Sequence, residues 1–185
     1  MTHDVIVLLA VLGVVGQVLF VILLAIGLLG LFGIGGPLTQ LRLWLEGYEL
    51  WLAFLVAAVA TGGSLFVSEI AHFIPCELCW YQRICMYPLS ITTLLAALAD
   101  DRRAARYLLP LPLVGAGVSV YHLLVENQVV GESQTCRISA PGGCALKWIN
   151  EFSYMTIPTL ALTGFALITV FLLRAAAPPA TVEAA

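Results

Sequence analysis

Long apolar blocks, separated by short connections that carry most of the charge, run along the chain. A block of about 18 or more apolar residues is long enough to cross a lipid bilayer as a helix. Because backbone polar groups in lipid must bond within their own segment, each block is predicted to be helical. The five blocks are Val5–Ile34, Leu50–Ser68, Pro75–Ala99, Tyr107–Val125 and Phe152–Leu173. The pattern therefore predicts an all-α membrane protein with five transmembrane helices.

The composition supports this interpretation. Hydrophobic residues make up 61% of the 185 residues and charged residues only 10%, whereas a soluble domain is about half apolar and about a quarter charged. So little polar chain could not cover a soluble core built from all these blocks. The net charge is −3 and the chain has no basic patch, so we expect no nucleic acid as a partner.

The predicted organisation has three regions. Residues 1–49 hold the first span and its connection, residues 50–174 hold the other spans with their outer loops, and residues 175–185 form a disordered tail. The first block follows a start without positive charge and is about twice as long as the apolar core of a signal peptide, so we expect it to be retained as a span. Pro110 and Pro112 fall in the first turns of the fourth helix, where a missing N–H costs little. Pro158 is predicted to kink the fifth helix about two turns from its start.

The basic residues set the expected orientation. If the spans alternate, one side of the membrane holds Arg42, Arg102, Arg103, Arg106 and Arg174, and the other holds Arg83, Arg137 and Lys147. Cytoplasmic connections carry an excess of Lys and Arg, so the larger group is expected to be cytoplasmic. The N-terminus is then outside and the C-terminus inside, and segments 69–75 and 126–151 are outside.

Four of the five cysteines fall on this outer face. Cys76 and Cys79 form a C-x-x-C pair at the outer end of the third block, and Cys136 and Cys144 lie in the outer segment after the fourth. An extracytoplasmic face permits disulfides, so the two pairs predict either two disulfides or a dithiol and a disulfide in exchange. We expect both pairs to be accessible. Cys85, inside the third block and off the face of Cys79, is expected to pack as a small apolar residue.

The C-x-x-C pair has the features of a reactive dithiol. Pro75 is predicted to start the helix, which places Cys76 in the first turn, near unpaired N–H groups and the positive end of the helix dipole. That setting favours the nucleophilic thiolate, and Cys79 lies one turn further on the same face. A purely structural disulfide and a zinc site stay open as alternatives, although the loop cysteines are spaced too widely for the usual second zinc pair. Trp80 rather than a histidine follows Cys79, which excludes a c-type haem motif.

Arg83 and His122 are candidate polar groups near the same depth. Arg83 lies four residues after Cys79 on the same helix face, where its charge could stabilise a thiolate or an anionic reduced cofactor. The alternative is an interface arginine that extends its charge to water. His122, near the outer end of the fourth block, either hydrogen-bonds a neighbour or serves a proton-coupled reaction.

These residues together resemble the DsbB family of disulfide bond formation proteins, and especially its shorter Gram-positive members, often called BdbC. The signature is the run CELCWYQR at positions 76–83, followed by MYP at 86–88. The likeness extends over about Leu50–Leu173 and includes Tyr121-His122, the loop pair Cys136 and Cys144, and Thr156-Ile157-Pro158.

The resemblance implies a four-helix transmembrane bundle in a bacterial cytoplasmic membrane, to which the first block adds a span. It implies an enzyme that reoxidises an extracytoplasmic thioredoxin-like (DsbA-like) thiol oxidase and passes the electrons to a membrane quinone, either ubiquinone or menaquinone. By resemblance, Cys136 exchanges with the partner and Cys144 is its mate, while Cys76 receives electrons from that pair and Cys79 faces the quinone. The positions that match quinone-associated residues are Arg83 and His122. No metal is expected.

Two other classes of membrane protein are alternatives to this family, and each predicts a different observation. An enzyme like vitamin K epoxide reductase would share the bundle and the quinone chemistry, but in that family the loop pair precedes the C-x-x-C pair, the reverse of the order here. A non-enzymatic membrane subunit, whose cysteines only connect loops, would not reduce a quinone when given a dithiol donor.

Overall fold

The computed structural model describes residues 2–31 and 45–177, and over these ranges the chain is helical without a β-strand. Its long helices are α1 (Thr2–Leu31), α2 (Glu49–Leu65, continued by a π-helical turn at Phe66–Ile70), α3 (Glu77–Leu98), α5 (Pro110–Glu126) and α7 (Ile157–Ala176). Two short helices are α4 (Ala104–Leu108), directly before α5, and α6 (Gln134–Ser139), in the loop between α5 and α7. The prediction of an all-α fold is confirmed.

Four of the helical stretches are long and apolar enough to cross a membrane: α1, α2 with its π-helical turn, α4 with α5, and α7. α3 is also long, at 22 residues, but its first half carries Gln82 and Arg83 and is less apolar. It contacts α2 and α5 and buries both polar side chains inside the bundle. The four-helix bundle is therefore α2, α3, α5 and α7, with α1 as the additional N-terminal helix that the sequence predicts.

The predicted start of the fifth helix was wrong. The apolar pattern placed it at Phe152, but residues 151–155 form a turn closed by hydrogen bonds between the backbones of Glu151 and Met155. α7 therefore begins at Ile157, which places Pro158 in its first turn. A proline there removes no intrahelical hydrogen bond, so it favours the helix start instead of kinking the helix.

α7 is the centre of the packing, because it contacts α1, α2 and α5. The close approach of α5 to α7 depends on Gly115, where a Cβ would overlap with the ring of Phe165. Small residues allow such close contact between membrane helices. Cys85 packs in the same apolar core as Phe165 and Leu89, in agreement with its expected role as a small apolar residue.

An arginine cluster closes the end of the bundle opposite the C-x-x-C pair. Arg102 forms an ion pair with Glu49 at 3.3 Å, and its Nε donates to the carbonyl of Ala175 at 3.3 Å. Arg106 donates to the carbonyl of Ala176 at 3.2 Å. These bonds satisfy carbonyl groups that the end of α7 leaves without helical partners.

The structure leaves parts of three expectations outside the described residues. α7 continues to Ala176, into the region predicted as a disordered tail, and residues 178–185 are not described. The end of the first block and Arg42 fall among residues 32–44, which are also outside the described ranges.

Candidate active site

Cys76 and Cys79 meet at the start of α3. Pro75 led us to expect Cys76 in the first turn of this helix. α3 begins instead at Glu77, so Cys76 is the residue just before the first turn. Its Sγ accepts the backbone N–H of Cys79 at 3.4 Å. The two sulfur atoms lie 2.9 Å apart and are not bonded. The start of α3 therefore holds a reduced dithiol.

Negative charge in this dithiol is favoured on Cys76, which lies just outside the membrane-spanning helix. Its sulfur receives the Cys79 N–H at the positive end of the helix dipole. The Cys79 thiol is then the neighbouring donor. This hydrogen bond lowers the pKa of Cys76, burial raises it, and His122 lowers it again, so the pKa falls below its ordinary value of 9.0. The arrangement prepares Cys76 to act as the nucleophilic thiolate.

The second pair, Cys136 and Cys144, is joined by a disulfide. Both residues are buried, at 2% and 1% exposure, and they share one buried cluster with Cys76 and Val125. The expectation that both outer pairs are accessible is therefore wrong for this conformation of the loop. An attacking thiolate must reach a disulfide sulfur directly, so a thiol from outside can attack this pair only after the loop moves.

Polar bonds join the loop to the start of α3 and connect distant parts of the loop to each other. The Ser139 Oγ accepts the N–H of Glu77 at 3.1 Å and donates to the carbonyl of Cys136 at 2.9 Å. Because the first N–H groups of a helix have no helical partner, Ser139 both caps α3 and fastens α6 to it. The Glu132 carboxylate accepts the N–H of Ala145 at 2.5 Å, next to the second loop cysteine.

His122 lies between the two cysteine pairs. Its Nε2 is 3.1 Å from the carbonyl oxygen of Cys144 and 3.7 Å from the Sγ of Cys76. The amide nitrogen of Gln82 is 3.3 Å from its Nδ1. Because an amide nitrogen only donates, Nδ1 is the acceptor and Nε2 carries the proton. His122 thus presents one N–H to the loop backbone and to the Cys76 sulfur.

Gln82 and Glu126 also belong to this site, although no motif in the sequence marks them as site residues. Both are buried. Glu126 lines a small recess with Cys76 and His122, and its Oε2 accepts the hydroxyl of Thr156 at 2.8 Å. The sequence contains one indication of this role for Glu126. It lies four residues after His122 and so shares its helix face.

Arg83 points into the bundle. Its Nε donates to the Oγ of Ser64 and its Nη2 to the backbone carbonyl of Ser64, each at 3.0 Å. The guanidinium carbon lies 5.4 Å from the centroid of the Trp80 ring, within the range of a cation–π contact. With only 9% of its surface exposed, Arg83 does not extend to water, which argues against the interface alternative.

A cavity of about 400 Å³ lies beside Arg83 and Cys79, between α1, α2, α3 and α7. Its lining is mostly apolar, and its polar residues include Cys79, Gln82, Arg83 and Ser64. Cys76 and His122 do not line it but face the small recess, which Cys79 also lines. Cys79 is thus exposed to both spaces, whereas His122, predicted at the same ligand as Arg83, is placed at the junction of the cysteine pairs.

Three residues of the site could in principle act as ligands of a metal ion. Cys76, Cys79 and His122 place three potential ligand atoms within 4.8 Å of one another. Structural zinc takes four ligands in a closed tetrahedral site. Cys136 and Cys144 are bonded to each other and cannot supply thiolates, so the structure does not support the four-cysteine zinc site that the sequence left open.

Comparison with known proteins gives concordant matches. The family profile described as disulfide bond formation protein DsbB matches residues 46–175. Disulfide bond formation protein C of Bacillus subtilis is 46% identical over 125 residues, which cover 66% of this chain and 88% of that protein. A probable disulfide formation protein of Deinococcus radiodurans is 41% identical over 133 residues, covering 67% of this chain and 86% of that protein. No solved structure matches the chain.

Proposed function

Because the chain belongs to the DsbB family of disulfide bond formation proteins, we propose that it reoxidises an extracytoplasmic thioredoxin-like thiol oxidase and passes the electrons to a membrane quinone. The family itself implies a disulfide oxidoreductase with a role in disulfide bond formation. The observation that carries the finer proposal is the position of Cys79. It contacts Cys76 on one side and lines a large, mainly apolar cavity on the other.

The proposed sequence moves one electron pair through two disulfide exchanges. The partner dithiol is oxidised as the Cys136–Cys144 disulfide is reduced, and the resulting loop dithiol then reduces a disulfide between Cys76 and Cys79. Each exchange breaks one S–S bond and forms another, and the two protons of the oxidised dithiol pass to the two sulfur atoms released. The loop disulfide and the Cys76–Cys79 dithiol seen together correspond to the state in which the second pair holds the electrons.

The two sulfur atoms of the C-x-x-C pair are proposed to have different tasks. Cys76 exchanges with the loop pair, because it is buried in the same cluster as Cys136 and Cys144. The His122 N–H, 3.7 Å from its sulfur, stabilises the thiolate during that exchange. Cys79 transfers the electrons onward, because only Cys79 of the pair lines the large cavity. A direct contact of His122 with a quinone stays a prediction.

The chain's residues fit a quinone in this cavity. A bound quinone would take up two electrons and two protons and become a quinol. Arg83 and Gln82 would hold the polar head group through N–H donors beside Cys79, and the apolar walls would receive the rest of the molecule. Arg83 is fixed by its two bonds to Ser64, so its charge is already in place where negative charge develops. Ubiquinone and menaquinone share the features that these residues recognise.

We propose that the cysteine end faces the outside of a bacterial cytoplasmic membrane. The connection with Arg102, Arg103 and Arg106 follows the end of α3, whereas Cys76 precedes its start. Cytoplasmic connections are rich in Lys and Arg, and disulfides persist on the extracytoplasmic face. Both arguments support the same orientation.

Quinone reduction by the purified protein tests the proposal, with a reduced thioredoxin-like thiol oxidase as the donor. We expect one donor dithiol to be oxidised for each quinone reduced, and Cys79→Ala to abolish the reaction. Cys85→Ala is the matched control, since Cys85 packs in the apolar core away from both pairs. A folded wild-type protein that reduces no quinone would instead be a non-enzymatic subunit whose cysteines only connect loops.

A further inference from the structure

We propose that α1 forms one wall of the acceptor site and selects acceptors that carry a long apolar chain. The inference rests on the proposed quinone reduction, but it concerns a helix outside the region matched by the family, which begins at residue 46. The α1 residues that line the cavity are Leu9, Leu12, Gly13, Val15, Gly16 and Leu19. At about 1.5 Å per residue, they extend over roughly 15 Å along the helix axis.

Two glycines hold α1 close to α7. A Cβ on Gly13 would overlap with Leu160, and a Cβ on Gly16 would lie 3.1 Å from Thr163 Cγ2 and 3.2 Å from Leu167 Cδ1. Apolar side chains gain little by leaving lipid for a helix surface, so membrane helices associate mainly through close packing and interhelical hydrogen bonds. The glycines supply the close packing that keeps α1 on the bundle.

A polar anchor fixes the same contact. The Gln17 Nε2 donates to the Oγ1 of Thr163 at 3.4 Å, and the Tyr154 hydroxyl donates to the Gln17 Oε1 at 3.0 Å. An amide without partners is costly in lipid, so these bonds set the rotation of α1 about its axis. With Gln17 held against α7, Gly13 and Gly16 face α7 and the cavity, and Leu8, Val18 and Ile22 stay exposed on the outside of the bundle.

The distribution of polarity in the cavity indicates the shape of its ligand. Polar side chains come from α2, α3 and α7, whereas every α1 residue in the lining is apolar or glycine. A head group beside Cys79 and Arg83 therefore leaves α1 to contact an apolar chain. Because that chain comes from lipid and not from water, its contact with α1 is favourable only through van der Waals packing. Packing depends on shape, so α1 can distinguish acceptors by their chains.

The experiment compares two quinones with the same head group, one with a long isoprenoid chain and one with a methyl group in its place. Gly16→Leu places a side chain against Thr163 and Leu167 of α7 and so moves the α1 wall of the cavity away from the bundle. The measured quantity is the KM for the long-chain quinone divided by the KM for the methyl quinone. In the Gly16→Leu variant this ratio should be at least tenfold higher than in the wild type. Gly27→Leu is the matched control, because Gly27 lies on the same helix with nothing within 4 Å of an added Cβ. It should keep the wild-type ratio.

A second measurement uses the unaltered protein. A quinone with a photoreactive group on its chain should label the α1 segment between Leu9 and Leu19. Labelling confined to other helices or to lipid, or a Gly16→Leu ratio equal to that of the wild type, would overturn the inference while leaving quinone reduction intact. If the wild type reduced neither quinone, the proposed function itself would fail.

Discussion

Arg83 gives the most direct test of the acceptor site, because its charge is buried and fixed. The substitution Arg83→Gln keeps N–H donors at the position but removes the positive charge. In the wild type the guanidinium makes two bonds of 3.0 Å to Ser64 and lines the cavity that Cys79 also lines. Those bonds use Nε and Nη2, and the proposed acceptor would bind the Nη1 group.

The expected effect follows from the strength of charged hydrogen bonds. A hydrogen bond that involves a charged group contributes about 1.5–3 kcal/mol. Loss of about 1.4 kcal/mol from the transition state slows a reaction about tenfold. We therefore expect Arg83→Gln to weaken quinone binding or slow quinone reduction by about tenfold or more. Arg103→Gln is the matched control, because Arg103 is exposed in the connection after α3.

Two assays separate the acceptor step from the partner step. Steady-state kinetics over a range of quinone concentrations reports the acceptor step, and single-turnover reduction of the Cys136–Cys144 disulfide without quinone reports the partner step. Arg83→Gln should change the first and leave the second within a few-fold, because the loop pair does not line the cavity. If the dependence of the rate on quinone concentration were the same in Arg83→Gln and the wild type, Arg83 would serve only in packing. A defect confined to partner exchange would place it on a docking surface and refute the quinone assignment.

Three further predictions concern other parts of the site and the topology. The lowered pKa of Cys76 keeps its thiolate present below pH 9.0, so the ultraviolet thiolate absorbance that is lost in Cys76→Ser should persist near neutral pH in the wild type. Cys79→Ala removes the largest cause of that shift and should move the titration back towards pH 9.0; no movement would contradict the assignment of the thiolate. Ser139→Ala removes the contact between α6 and α3 and should speed reduction of the Cys136–Cys144 disulfide by an added dithiol several-fold, whereas Ser90→Ala, a serine bonded within α3, should not. Reporter fusions at residue 2 and after Arg174 should place the N-terminus outside and the C-terminus inside, and both ends on one side would contradict the orientation.

The helices could be predicted from the sequence because length and apolar content alone allow a segment to cross a membrane. Their starts depend on shorter-range bonds. Phe152 belongs to an apolar block by composition, yet the turn between Glu151 and Met155 keeps it out of α7. Pro75 fits a helix start, but the Cys76 sulfur accepts the Cys79 N–H and so makes Cys76 the capping residue. Neither bond is visible in a hydrophobic pattern.

The site also has a part that could be predicted from the sequence and a part that could not. Cys79 and Arg83 lie four residues apart on α3, and Cys76 caps the start of that helix, so their proximity follows from spacing along the chain. Contacts between helices do not follow from spacing. The approach of His122 to Cys76, the bond from Gln82 to His122 and the burial of the loop disulfide each require α3, α5 and the loop to be packed together.

The geometry separates the two ends of the proposed electron path within one helical turn. Cys76 is buried against the loop cluster, where His122 donates towards its sulfur, and Cys79 lines the cavity that α1 helps to enclose. In the proposed function, the partner protein and the acceptor would therefore not compete for the same space. The two sulfur atoms are 2.9 Å apart, so closing the bond between them needs no large movement of α3. The loop, whose disulfide is buried, must move for each exchange with a partner. If the proposed function is correct, we expect changes in the loop to alter the choice of partner and the rate of exchange with it, and changes in α1 to alter the choice of acceptor.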